Sequence, residues 1–222
     1  MPNDMSIDNK KSPAFEDIGL TRYSEVLEQQ RQRMQSVGNG EAEEVIYLTE
    51  HFPVYTLGRH GNASNMLFLP KGVECVRIER GGDITYHAPG QLVVYPIVSL
   101  WRRKLGVKDY VNALEQWVID TIADYGLRGE RAEGAPGVWL GVGTPGERKI
   151  CALGVKIGRG VSMHGFALNG NTDLSGFRNI NPCGFADKGV TSIAAELGHD
   201  IDMKQLKESV KAHIPEIIAS VR

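Results

Sequence analysis

A chain of 222 residues, 41% apolar and 23% charged, is long enough to bury a core and too apolar to stay unfolded. Its formal net charge of −2 argues against a surface devoted to nucleic acid, and no apolar run reaches membrane-spanning length. The three cysteines, Cys75, Cys151 and Cys183, form no CxxC pair, which points to a reduced, cytoplasmic chain without a disulfide framework or a metal site.

Residues 1–20 read as a flexible polar tail without the apolar stretch of a secretory signal, and residues 21–222 as a single domain. Thr21 reads as the N-cap of a helix that places Tyr23, Val26, Leu27, Gln30, Met34 and Val37 near one face and ends at Gly38-Asn39-Gly40. Residues 44–49, 54–57 and 73–80 read as strands, with a basic loop at Gly58-Arg59-His60-Gly61-Asn62. Next comes Arg80-Gly81-Gly82, then an extended segment with Asp83, Thr85 and His87 on one face and Gly82, Ile84 and Tyr86 on the other. The glycines permit close backbone approach, so a ligand could lie against the main chain there. Pro89-Gly90 breaks the segment before an apolar strand from Leu92 to Ile97.

The three-and-four spacing of Tyr110, Val111, Leu114, Trp117, Val118 and Ile122 predicts a helix over 107–125, with Trp117 packing into the core. Residues 137–142, 148–157 and 161–169 follow as strands joined by Gly-rich turns. From Thr191 the chain is helical in two pieces, parted at Gly198 and disturbed at Pro215. Helices and mostly antiparallel strands in irregular order make this an α+β fold.

Cys183 lies between Pro182 and Gly184, where following N–H groups would form part of an oxyanion hole for a thiol nucleophile. A thiol needs activation, and Lys149 is a candidate. Strand alternation places Lys149, Cys151, Leu153 and Val155 on one face, so Cys151 is a rival nucleophile. Spacing leaves both cysteines open. His87 and His164 are each an acid–base group, a ligand contact or a histidine held by hydrogen bonds.

Four segments resemble the lipoyl(octanoyl) transferase family: RGGDITYHAPGQLVVYP at 80–96, RKICALGVKIGRGVSMHGFALN at 148–169, INPCG at 180–184 and, more weakly, EHFPVYTLGR at 50–59. The resemblance implies the α+β catalytic domain shared with biotin and lipoate protein ligases, with mostly antiparallel mixed sheets flanked by helices. It implies transfer of octanoyl from octanoyl-acyl carrier protein to the target lysine of a lipoyl domain, through a Cys183 thioester with Lys149 as activating partner. It further implies substrate contacts at Arg80, Gly81, Gly82, Asp83, Ile84, Thr85, Tyr86 and His87, at Ala152, Leu153 and Gly154, and at Gly165, Phe166 and Ala167. No cofactor is implied, because the acyl group arrives on the phosphopantetheine of the carrier. The implied acceptors are lipoyl domains of 2-oxoacid dehydrogenase complexes and the glycine cleavage H protein, with no nucleic acid or membrane partner. Arg102, Arg103, Lys104, Arg148, Lys156 and Arg159 are expected to include docking residues for acidic carriers. The alternatives are an ATP-dependent lipoate or biotin ligase and a non-catalytic carrier-binding module.

Overall fold

The computed structural model describes residues 12–181 and 189–221. Strand β1 (Ala14–Thr21) runs parallel to β2 (Val45–His51), so the tail expected over residues 1–20 gives way to a strand at Ala14. The period-2 signal is weak there because β1 is a sheet edge with a register shift between Asp17 and Gly19, and none of its residues is fully buried. Helix α1 (Tyr23–Asn39) starts after Arg22 and ends at Gly40, whose φ of 76° gives the left-handed stop. Thr21 does not cap it. Its hydroxyl instead shares a 2.9 Å hydrogen bond with that of Thr49 across the strand pair.

Strands β3 (Val54–Leu57), β4 (Glu74–Arg77) and β5 (Ile84–His87) form a small sheet in the order β4-β3-β5. Strand β6 (Gln91–Ile97) follows, then helices α2 (Leu100–Arg103) and α3 (Val107–Ala123). Strands β7 (Glu130–Ala132), β8 (Ala135–Leu140), β9 (Arg148–Gly158) and β10 (Val161–Asn169) complete the main run of the large sheet, ordered β1-β2-β6-β10-β9-β8-β7. Strand β11 (Gly189–Val190) lies parallel to β9 at Arg148 and Lys149, and helices α4 (Ile193–Leu197), α5 (Met203–Ala212) and α6 (Glu216–Ala219) close the chain. The sheet is mixed and mostly antiparallel, an α+β architecture.

Alternation along the strands divides the core between the two faces of the large sheet. Leu92 and Val94 of β6 join Phe166 and Leu168 of β10 against Tyr110, Leu114, Trp117 and Ile122 of α3. Val93, Tyr95 and Ile97 meet Tyr23, Val26, Leu27 and Val37 of α1 on the other side. Trp117 is fully buried, stands edge-on to Phe166 at 5.5 Å, and donates its indole N–H to the Val210 carbonyl at 2.6 Å. It is a packing residue whose truncation to Ala would cost about 3–5 kcal/mol.

Arg103 departs from its expected docking role. It is 2% exposed, forms a forked ion pair with Glu44 at 2.6 and 2.8 Å, and donates to the Ile218 carbonyl at 2.9 Å. This guanidinium pins α6 to the start of β2. Arg148 is likewise engaged, by Glu196, and Lys156 lies 3.8 Å from Glu79. Among the described residues, no helix is long and apolar enough to cross a membrane.

Candidate active site

The site begins with the smallest side chains in the large sheet. Across the β9–β10 pair, Ala152 faces Ala167 and Gly154 faces Gly165, while Cys151, Leu153, Phe166 and Leu168 pack on the α3 side. Above this strip lies the small sheet, and the space between forms a cavity of about 700 Å³. A Cβ on Gly165 would sit 2.1 Å from the Val94 carbonyl oxygen, so only glycine fits there. A Cβ on Gly154 would sit 2.8 Å from the Gly81 oxygen. At Gly154 and Gly165 the close approach is protein against protein, while Gly81 and Gly82 line the cavity. Gly81 donates its N–H to the Val155 carbonyl at 3.0 Å, which staples the Arg80 loop onto β9.

All expected substrate-contact residues line this cavity except Tyr86. Alternation turns Tyr86 to the opposite side of β5, where it lies 4.9 Å from Tyr55 and 5.5 Å from Phe177 between ring centres. Asp83 borders the cavity, but its carboxylate also organises the neighbouring loop. It accepts N–H bonds from Asn62 at 3.1 Å and Ile84 at 2.8 Å, and a side-chain bond from Asn65.

A directed chain of hydrogen bonds orders the inner wall. Arg80 donates through Nη2 to the Thr56 carbonyl at 2.8 Å and to Thr56 Oγ1 at 2.9 Å. Thr56 Oγ1 lies 3.3 Å from His87 Nε2, and His87 Nδ1 lies 2.6 Å from Gln91 Oε1. Gln91 Nε2 donates to the Tyr86 carbonyl at 3.2 Å and to Asn169 Oδ1 at 2.8 Å. Those two acceptors fix the Gln91 amide, so its oxygen faces His87 and the His87 proton resides on Nδ1. Asn169 completes the chain by donating to the Thr191 carbonyl at 2.8 Å.

Burial, followed by the nearby His51, lowers the His87 pKa to about 3, so its ring is neutral at ordinary pH. Burial alone drives His51 to about 4, and its Nε2 lies 2.8 Å from the Tyr95 hydroxyl. Tyr23 stacks on His87 with 5.6 Å between ring centres. Tyr23, Gln91, Tyr95 and Asn169 are wall residues that sequence reasoning missed, and His51 supports them from behind. A hydroxyl at Tyr23 and an amide at Gln30 within the apolar stripe of α1 were the available signals.

The outer end is built differently. Lys149 is half-buried, donates from Nζ to the Pro136 carbonyl at 3.2 Å, and sits 4.5 Å from the centre of the Trp139 ring. A carbonyl oxygen and an aromatic face both suit an ammonium. The β8–β9 register slips between Val138↔Cys151 and Trp139↔Lys149, leaving Ile150 as an extra residue. Both Ile150 and Cys151 enter the α3-side core, so Lys149 and Cys151 do not share the face that strict alternation assigned them. Cys151 is 1% exposed, burial drives its thiol pKa far upward, and it is absent from the cavity wall. Such a buried thiol is poorly placed as a nucleophile.

Cys183 lies outside the described residues. Its flanks are anchored on both sides of the site. Asn181 donates its N–H to the Asn65 carbonyl at 2.8 Å, and Asn65 in turn holds Asp83. Beyond the gap, Val190 registers with Lys149, and both Gly189 and Val190 line the cavity.

The lipoyl protein ligase A/B catalytic domain matches residues 22–215 of this chain. An octanoyltransferase of Bacteroides fragilis is 50% identical over 202 residues, covering 86% of this chain and 91% of that one. The octanoyltransferase of Parabacteroides distasonis is 46% identical over 216 residues, covering 92% and 98%. A Porphyromonas gingivalis octanoyltransferase is also 46% identical, and the match spans 42% of that longer protein. Among solved structures, a bi-partite lipoate protein ligase of Thermoplasma acidophilum superposes with a TM-score of 0.70 at 15% identity, covering 94% of this chain and 84% of that one. Lipoate-protein ligase A bound with ATP gives 0.68 at 13% identity, with coverages of 96% and 87%. The two structures establish the fold alone.

Proposed function

This chain belongs to the lipoyl(octanoyl) transferase family, acyltransferases of protein lipoylation, and from that premise we propose how its residues carry the octanoyl group. The donor is octanoyl-acyl carrier protein and the acceptor is the target lysine of a lipoyl domain. The reaction runs through an octanoyl thioester on Cys183 and requires no cofactor. The observation that supports this reading is the convergence on Lys149: its ammonium lies at the cavity wall, in register with the strand that follows the Cys183 segment.

In the first step the Cys183 thiolate attacks the donor carbonyl. A new carbon–sulfur bond forms, the bond to phosphopantetheine breaks, and the departing thiolate takes the proton that Lys149 held in place of the cysteine. One thioester replaces another, so the step is nearly thermoneutral and does not require ATP. In the second step the acceptor lysine, its proton removed by Lys149, attacks the acyl-enzyme. The amide bond forms as its nitrogen releases a second proton to solvent, and Cys183 leaves as a thiolate; thioester to amide is downhill. Two lower barriers replace one, the usual gain of covalent catalysis. The acyl chain lies over the Ala152, Gly154, Gly165 and Ala167 strip, where each buried methylene contributes about 0.8 kcal/mol.

Incubation with octanoyl-acyl carrier protein and an unmodified lipoyl domain, without ATP, tests the proposal by the mass of the lipoyl domain. A gain of one octanoyl group is expected. Modification only with free octanoate and ATP would identify a ligase. Donor binding without transfer would leave a carrier-binding module.

A further inference from the structure

The closed end of the cavity contains a group that the proposed transfer leaves idle. His164 is 1% exposed and lines the cavity, and neither of its ring nitrogens has a hydrogen-bond partner among the described residues. Buried polar atoms are rarely left unpaired, so an unpaired pair at a cavity wall marks a place for a ligand atom. The backbone is arranged to put the ring there. His164 lies within β10 at a φ of 60°, a region that side chains other than glycine seldom adopt, and Gln30 Oε1 holds its N–H at 2.8 Å. Regular alternation would turn it toward α3 with Phe166 and Leu168; the left-handed residue breaks the alternation and leaves it on the cavity.

Burial, then the charge of Arg80, lowers the imidazole pKa to about 3. At neutral pH the ring therefore offers one N–H and one lone pair, and a hydroxyl is the group that matches both. The walls give the direction of the chain. Val107, at the other reach of the cavity, is 53% exposed, whereas Tyr23 and Tyr95 beside the histidines are buried. We infer that the closed end is a polar subsite in which His164 hydrogen-bonds a hydroxyl at the far end of a medium-chain acyl group. The enzyme would then transfer ω-hydroxyacyl chains as well as methyl-ended ones. This inference rests on the acyl transfer proposed above.

The test compares carrier proteins loaded with ω-hydroxyacyl chains and with methyl-ended chains of equal heavy-atom number, such as 8-hydroxyoctanoyl against nonanoyl, across neighbouring lengths. An apolar tunnel would reject the hydroxyl by about tenfold or more at every length, because its polar atoms would be buried unpaired. The subsite predicts that at the best length the two donors have kcat/KM values within about threefold of each other. In His164→Leu the hydroxyl-to-methyl ratio falls about tenfold or more, chiefly through KM. His164→Asn, which tolerates the left-handed backbone and keeps a donor and an acceptor, recovers part of that ratio. Strong rejection of every hydroxyl donor by the wild type, or an unchanged ratio in His164→Leu, overturns the inference. If the leucine variant does not fold, the wild-type comparison decides. Failure to transfer any methyl-ended chain would instead refute the acyl-transfer reading.

Discussion

The two ends of the cavity are held by different means. At the inner end, Arg80, Thr56, His87, Gln91 and Asn169 form a continuous buried hydrogen-bond chain. At the outer end, Lys149 meets the Pro136 carbonyl at 3.2 Å and a tryptophan face, beside a strand bulge. A buried network resists change because each lost partner strands another polar group. A half-exposed ammonium can exchange partners at little cost. Under the proposed mechanism, the inner end maintains shape while the outer end carries the proton chemistry.

The largest expected effect falls at the outer end. Lys149→Ala should lower kcat/KM about a thousandfold, within the usual range for lost acid–base catalysis. Urea unfolding of the same variant should shift by no more than about 1 kcal/mol. A loss below tenfold would break the division, because Lys149 would then be another structural residue.

At the inner end the signature reverses. Gln91→Leu leaves the His87 Nδ1–H, the Asn169 oxygen and the Tyr86 carbonyl without their partner. A stability loss of about 2–4 kcal/mol is expected by urea unfolding. A loss under about 1 kcal/mol would show that the network is dispensable to the fold.

A smaller and sharper effect comes from pH. His51 titrates at about 4 and His87 and His164 at about 3 when folded, all below the unfolded value of about 6.5. The unfolded chain therefore binds more protons between about pH 6.5 and 4, so these residues contribute full stability above pH 6.5 and lose it as pH falls. Each buried neutral histidine contributes a slope of up to about 1.4 kcal/mol per pH unit within that window. His87→Gln should flatten the dependence of unfolding free energy on pH by one such increment. An unchanged slope would mean that His87 is protonated in the folded protein.

Much of this architecture is legible in the residues. The helix around Trp117 and the β9–β10 hairpin announce themselves because strong apolar periods coincide with glycine-marked turns. Strand β1 escapes because an edge strand need not be apolar and its register shift disrupts the alternation. The bulge at Ile150 is equally hidden. It arises from pairing with β8, so a strand read alone assigns Lys149 and Cys151 to one face. His164 is visible as a histidine in a strand, but its left-handed backbone follows from tertiary contacts, including the bond from its N–H to Gln30. Arg103 looks like a surface charge until Glu44, distant in sequence, folds against it.

The central claim is that the acyl group passes through Cys183 beside Lys149. Intact-protein mass spectrometry after mixing with octanoyl-acyl carrier protein alone, next to a Cys183→Ser variant, tests it most directly. The account predicts a gain of one octanoyl group that hydroxylamine removes and that the serine variant lacks under the same brief treatment. Absence of any adduct in the wild type would contradict the thioester route. A hydroxylamine-labile adduct that persists at full yield in Cys183→Ser would place the acyl group on another residue, even though Cys151 is buried away from the cavity.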